Sequence, residues 1–189
     1  MLYEKNIRQQ DDLDFQAILN LVRLARVEDN DTIVRFIMIR VKRVPTGRVK
    51  LFTTRDLVSR ANREALEDLT SELVRMDSID YPKNNRNATN ALNFESTMVK
   101  RLYLKKGALI MDVANGWSNG TLGVVLKIGD DWIKVENVEN GSTKIIRRVY
   151  DYVSGTFYSR QQHPVILSYA STIHKVQSLT LSKVAIFFF

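Results

Sequence analysis

The chain has 189 residues, 44% hydrophobic and 26% charged, with a formal charge of +7. That is enough for one core, or one core with a small attached module. Cysteine is absent and only His163 and His174 could act as imidazole ligands, which excludes disulfides and thiolate metal sites and leaves a zinc centre short of ligands.

No apolar run approaches the roughly 18 residues that span a bilayer, and the opening MLYEKNIRQQDD has no signal-peptide h-region. An intracellular, reducing compartment is therefore expected, the nucleus or a mitochondrion in a eukaryote. The charge is uneven. Residues 1–98 hold 16 Lys+Arg against 15 Asp+Glu, and residues 99–189 hold 12 against 6. The basic half also carries Trp117, Trp132, Tyr103, Tyr150, Tyr152 and Tyr158. Basic plus aromatic composition suits a single-strand-binding surface and equally a basic surface over a Trp-containing core.

In chain order, Asp11 and Asp12 are candidate caps for a helix to about Arg26, with Phe15, Ile18, Leu19 and Val22 on one face. Residues 32–44 are dense in Ile, Val, Phe and Met and fit a strand or a helix. Pro45-Thr46-Gly47 signals a turn. Residues 49–54 read as a buried strand and 56–69 as a helix with Leu57, Ala61, Ala65, Leu66 and Leu69 inward. Thr53 and Thr54 then stand at the strand's carboxyl end, and Asn62 on the helix serves either packing or a ligand contact. Residues 81–93, YPKNNRNATNALN, read as an exposed Asn-rich loop. Asn87-Ala88-Thr89 matches a glycosylation acceptor only by chance here.

Beyond Leu102 the pattern changes to short strands over 108–113, 121–128, 132–138 and 143–149. Asn140-Gly141 between two of them is a hairpin signal, and the set suggests a small twisted barrel. Gly107, Gly120 and Gly123 permit tight turns. Lys105, Lys106 and Trp117 offer charge and a stacking face to a nucleic-acid strand. Asn119 and Thr121 place donors near a strand end. Finally, Pro164 opens an apolar strand that runs into Thr172, His174, Lys175 and Gln177. Polar groups at a strand's carboxyl end are where α/β proteins meet ligands.

The order of these residues resembles the Pif-one-like and RecD-like DNA helicases. Ala170-Ser171-Thr172-Ile173-His174-Lys175-Val176-Gln177 is similar to that family's late Thr-Ile-His-Lys-x-Gln-Gly turn, with Ser178 in the place of Gly. At a φ > 0 position this exchange costs roughly 1 kcal/mol. Arg8-Gln9, Phe15 and Ile18-Leu19-Asn20 with Arg23 resemble the segment entering the second motor domain. Leu104-Lys105-x-Gly107-Ala108 and Asn119-Gly120-Thr121-x-Gly123 resemble its barrel insertion.

The resemblance implies an α/β fold: the RecA-like second motor domain of a P-loop helicase, interrupted by a small SH3-like β-barrel. Its first part would be 1–98, the barrel 100–159 and its second part 160–189. It implies an ATP-dependent five-prime to three-prime helicase acting in replication, recombination, repair or telomere maintenance. Its cofactors would be ATP and Mg2+, and its partners single-stranded DNA or forks and an N-terminal motor domain carrying the phosphate loop.

By the same resemblance Arg8 reaches the γ-phosphate. Gln9, Thr172, His174, Lys175 and Gln177 join the nucleotide cleft to DNA. Thr54, Asn62, Lys105, Lys106, Trp117, Asn119, Thr121 and His174 face the strand. No Gly-x-x-x-x-Gly-Lys-Ser/Thr sequence occurs in the 189 residues, so this chain alone is expected to bind no nucleotide and hydrolyse none. The alternatives are a stand-alone single-strand-binding module or a degenerate helicase relic from a virus or mobile element.

Overall fold

The fold is that of a computed structural model describing residues 13–23, 31, 49–113, 120–176 and 184–187. The chain divides into two units, Met1–Pro45 and Thr46–Phe189. In the first, α1 (Leu13–Arg23) is the expected helix, with Asp14 in its first turn, where a carboxylate complements the helix dipole. Asp11, Asp12 and residues 32–44 lie outside the described residues.

The second unit begins with β1 (Val49–Phe52), whose Val49, Leu51 and Phe52 are buried. It is the middle strand of a parallel sheet, flanked by β12 (Ala170–Thr172) and β13 (Val184–Ile186). Leu51 pairs with Ser171 on one side and Ile186 on the other. A strand paired on both edges needs an almost continuous apolar run, which VKLF supplies. Thr54 then caps α2 (Arg55–Glu67), its Oγ1 accepting from the Leu57 amide at 3.5 Å. Helix α2 packs on β1 and β12.

The principal core belongs to a five-stranded antiparallel sheet ordered β11-β5-β6-β7-β8. Its strands are β5 (Leu109–Asp112), β6 (Leu122–Ile128), β7 (Trp132–Asn137), β8 (Thr143–Arg147) and β11 (Val165–Leu167). In β7, Ile133, Val135 and Asn137 point inward and alternate with exposed Lys134 and Glu136, the period of a half-buried strand. The β7–β8 turn is closed by Asn137 Oδ1, which accepts from the Glu139 amide at 2.7 Å. Gly141 takes φ 69° there, so the Asn-Gly hairpin signal was a sound one. Ile110, Val125, Ile133, Val135, Ile146 and Val165 form the cluster with Leu66, Leu102 and Leu104.

Strand β11 comes from beyond residue 159 and pairs with the outer edge of β5, Ile166 opposite Met111. Two residues later the chain enters the parallel sheet as β12. Tyr169 spans this junction: its carbonyl accepts from the Lys50 amide at 2.9 Å, and its hydroxyl accepts from the Leu109 amide at 3.1 Å. One residue thus ties the two sheets together.

Two smaller elements complete the unit. A ribbon pairs β2 (Val74–Asp77) with β4 (Arg101–Leu104). A sheet ordered β3-β10-β9 joins β3 (Ile79–Tyr81), β10 (Ser159–Gln162) and β9 (Val149–Tyr152).

The Asn-rich stretch read as a loop is instead largely helix α3 (Arg86–Glu95). Asn85 caps it, its Oδ1 accepting from the Ala88 amide at 2.9 Å, and Ala88 and Leu92 are fully buried. The asparagines suggested a loop, but one of them is the cap, and an Ala-Leu pair four residues apart was sufficient to anchor a short helix.

Candidate nucleic-acid interface

An open groove of about 1180 Å³ runs between α2 and β12 on one side and the β2–β4 ribbon and end of α3 on the other. Arg55 and Arg63 enter it from α2, Lys100 from just before β4 and Arg101 from its first position. Lys105 lies beyond β4. His174 and Lys175 come from the single turn α4 (Ile173–Val176). Glu67 is the one carboxylate among the described lining residues. A concave surface lined by one sign of charge concentrates the opposite charge.

The polar end of β12 is built locally. Thr172 ends the strand and its Oγ1 accepts from the Lys175 amide at 3.3 Å, which sets the turn carrying His174 and Lys175. Lys175 is exposed at its surface, yet desolvation by the groove atoms around it first, and then the Arg55 guanidinium, lower its pKa below the ordinary 10.5. Lys175 thus stands in a local cationic field that an anion would relieve.

The groove brings together Asn62, Lys105, Thr172, His174 and Lys175. Besides Thr172, Asn62 and Lys105 have structural partners. Asn62 Nδ2 donates to the Ala170 carbonyl at 3.0 Å, and Asn62 Oδ1 accepts from the Ala170 amide at 2.9 Å. Lys105 Nζ donates to the Leu69 carbonyl at 2.6 Å, just past the end of α2, where a cation complements the helix dipole.

Lys106 is exposed, and its carbonyl accepts from Ser71 Oγ at 2.8 Å. Thr121 begins the approach to β6, its carbonyl accepting from the Asp112 amide at 2.9 Å. Thr54, Lys106 and Thr121 do not line the groove. Arg8, Gln9, Trp117, Asn119, Gln177 and Ser178 lie outside the described residues.

Arg55, Arg63, Lys100, Arg101 and Phe94 were missed as site residues. The run Lys100-Arg101-Leu102-Tyr103-Leu104-Lys105-Lys106 carried the signal, with charge and aromatic faces interleaved on a strand. Arg55 and Arg63 are eight apart on one helix and became visible as a pair only once α2 was placed.

The groove's far wall is fixed from behind. Arg160, 1% exposed, donates from Nε to Asp80 Oδ1 at 2.8 Å and from Nη2 to Asp80 Oδ2 at 2.9 Å. Its Nη2 also donates to Asn93 Oδ1 at 2.7 Å, and Nη1 to the Met98 carbonyl at 3.1 Å. Burial pushes the Asp80 pKa up, but the bonds from Arg160 and Ser78 outweigh it and hold the carboxyl below 3.8.

Compared with known proteins, the chain is 30% identical to the ATP-dependent DNA helicase PIF1 of Xenopus laevis over 95% of its own length. It spans 30% of that relative. The crystal structure of Bacteroides sp. Pif1 in complex with ADP-AlF4 superimposes with a TM-score of 0.72 at 25% identity, over 96% of this chain and 44% of that one. A structure from work on DNA unwinding at forked duplexes by two coordinating Pif1 helicases gives 0.66 at 26% identity, over 96% and 42%. No family model matches.

Proposed function

We propose that this chain, a Pif1-like helicase segment by sequence and by fold, is the DNA-gripping part of an ATP-dependent DNA helicase. In this reading the parallel sheet with α2 is the RecA-like layer of the second motor domain, and β5 to β8 are the SH3-like barrel inserted within about residues 100–159. The basic groove takes a single DNA strand. Thr172, His174 and Lys175 then link that strand to a nucleotide cleft completed by Arg8, Gln9 and Gln177. ATP and Mg2+ are held with an N-terminal motor domain that supplies the phosphate loop, the motor moves five-prime to three-prime, and the 189 residues alone hydrolyse no ATP.

The observation that carries this reading is the meeting of Thr172, His174 and Lys175 with Arg55, Arg63, Lys100 and Arg101 along one concavity. Phosphates need distributed cations, and each neutralised phosphate releases counterions. The relative named above is an ATP-dependent DNA helicase, which favours DNA as the anion. The test is the affinity for a single-stranded oligonucleotide across a salt series. Binding should weaken log-linearly with salt, and Arg63→Glu with Lys100→Glu should flatten the slope by about 1 to 2. An unchanged slope in the double variant would remove the groove from the binding surface.

A further inference from the structure

Phe94 is 91% exposed although Ala88 and Leu92 of the same helix are fully buried. It follows Leu92 by two positions, about 200° around the helix, so burying Leu92 turns Phe94 outward. The backbone on either side cannot easily rotate it back. Asn93 is held by Arg160 at 2.7 Å. After the helix, Ser96 Oγ and the Thr97 amide donate to Asp151 Oδ2 at 2.8 and 3.1 Å. The ring is therefore displayed on a wall pinned before and after it.

That wall belongs to the groove. Phe94 lines it with Tyr103, Leu73 and Val99, which are 38%, 51% and 37% exposed. An apolar rim beside a basic track sets a stacking face next to phosphate-binding charge. It matches a ligand that is anionic along one edge and flat and aromatic along the other. Nucleotides have that construction. An acidic peptide would use the charges and leave the ring idle.

We propose that Phe94 is a base-stacking platform of this groove, so that a strand is gripped by its bases as well as its phosphates. The proposal rests on the reading of the groove as a single-strand track. Stacking tolerates every base, so Phe94 adds affinity without sequence preference. Being 91% exposed, it can be removed without opening the core.

The test compares oligo(dT) with an abasic strand of the same length, using fluorescence anisotropy and the 189-residue chain. Phe94→Ala should weaken oligo(dT) binding by about fivefold or more and leave the abasic strand unaffected, and Phe94→Trp should restore the loss. Equal affinity of Phe94→Ala and the parent chain for oligo(dT) would overturn the proposal, as would equal losses on both strands. If the parent chain binds neither strand, the groove reading itself fails and takes the stacking role with it. Salt-dependent binding that ignores Phe94 sinks only the stacking.

Discussion

Asn62 grips Ala170 with both ends of its carboxamide, donating to the carbonyl at 3.0 Å and accepting from the amide at 2.9 Å. Among the described residues, strand β12 pairs with β1 on one side only, and the Asn62 side chain satisfies the outward backbone groups of Ala170 as a neighbouring strand would. The strand that delivers Thr172, His174 and Lys175 is thereby clamped to the helix that delivers Arg55 and Arg63. The basic residues along this wall of the groove keep a common register.

Removing the clamp leaves an amide and a carbonyl of a buried residue unsatisfied. Asn62→Ala should therefore cost about 1 to 3 kcal/mol, read as a fall in the urea midpoint at unchanged m-value. An Asn62→Ala chain as stable as the parent would mean that water replaces the clamp.

The Asp80–Arg160 pair should be costlier to break. Asp80→Asn leaves a guanidinium 1% exposed without its counter-charge, a loss of about 3 to 5 kcal/mol. The pair also sets an acid limit. The Asp80 pKa is lowered from 3.8, so its contribution is complete above that value and is lost as pH falls through the lower folded value. Urea midpoints of the parent chain and of Asp80→Asn should converge in strong acid; parallel curves would remove Asp80 from acid unfolding.

His163 gives a second pH dependence nearer neutrality. It is fully buried, and burial first, then the Arg148 guanidinium, lower its pKa below 6.5, with Asp131 pulling partly the other way. The unfolded chain takes up this proton near 6.5 and the folded chain only at lower pH. Stability should therefore fall as pH drops below 6.5. His163→Gln should flatten the curve between pH 7.5 and 5.5, and an unaltered curve would assign that loss to another group.

Lys105 separates charge from capping. Its ammonium is 2.6 Å from the Leu69 carbonyl, so Lys105→Met should cost about 1 kcal/mol of stability and change the salt slope for single-stranded DNA little. A slope that drops by about 1 with unchanged stability would show that Lys105 leaves its cap for a phosphate.

Much of this fold was legible because its signals were local. Strands β5 to β8 announced themselves by alternation and by Asn140-Gly141, and β1 with α2 by an apolar run followed by helical spacing. Helix α3 was hidden because Asn85, Asn87, Asn90 and Asn93 resemble a loop, although one caps and another accepts from Arg160. At the end of β12, the order of residues singles out Thr172, His174 and Lys175, and these line the groove. The opposing wall was not legible, since Lys100, Arg101 and Phe94 share the groove with Lys175 across long stretches of sequence that only the fold brings together. The sequence leaves Asn62 open between packing and a ligand contact and gives Lys105 to a nucleic-acid strand. In the fold both hold backbone, a role that sequence spacing over 108 and 36 residues does not reveal.

The most direct measurement is lysine acylation of the 189-residue chain with and without a single-stranded oligonucleotide, read residue by residue by mass spectrometry. Lys100 and Lys175 line the groove, whereas Lys134 and Lys144 are exposed on β7 and β8. If the groove is the strand's track, the oligonucleotide protects Lys100 and Lys175 and leaves Lys134 and Lys144 as reactive as before. Protection of Lys134 and Lys144 with Lys100 and Lys175 unchanged would place the strand on the antiparallel sheet and contradict the account.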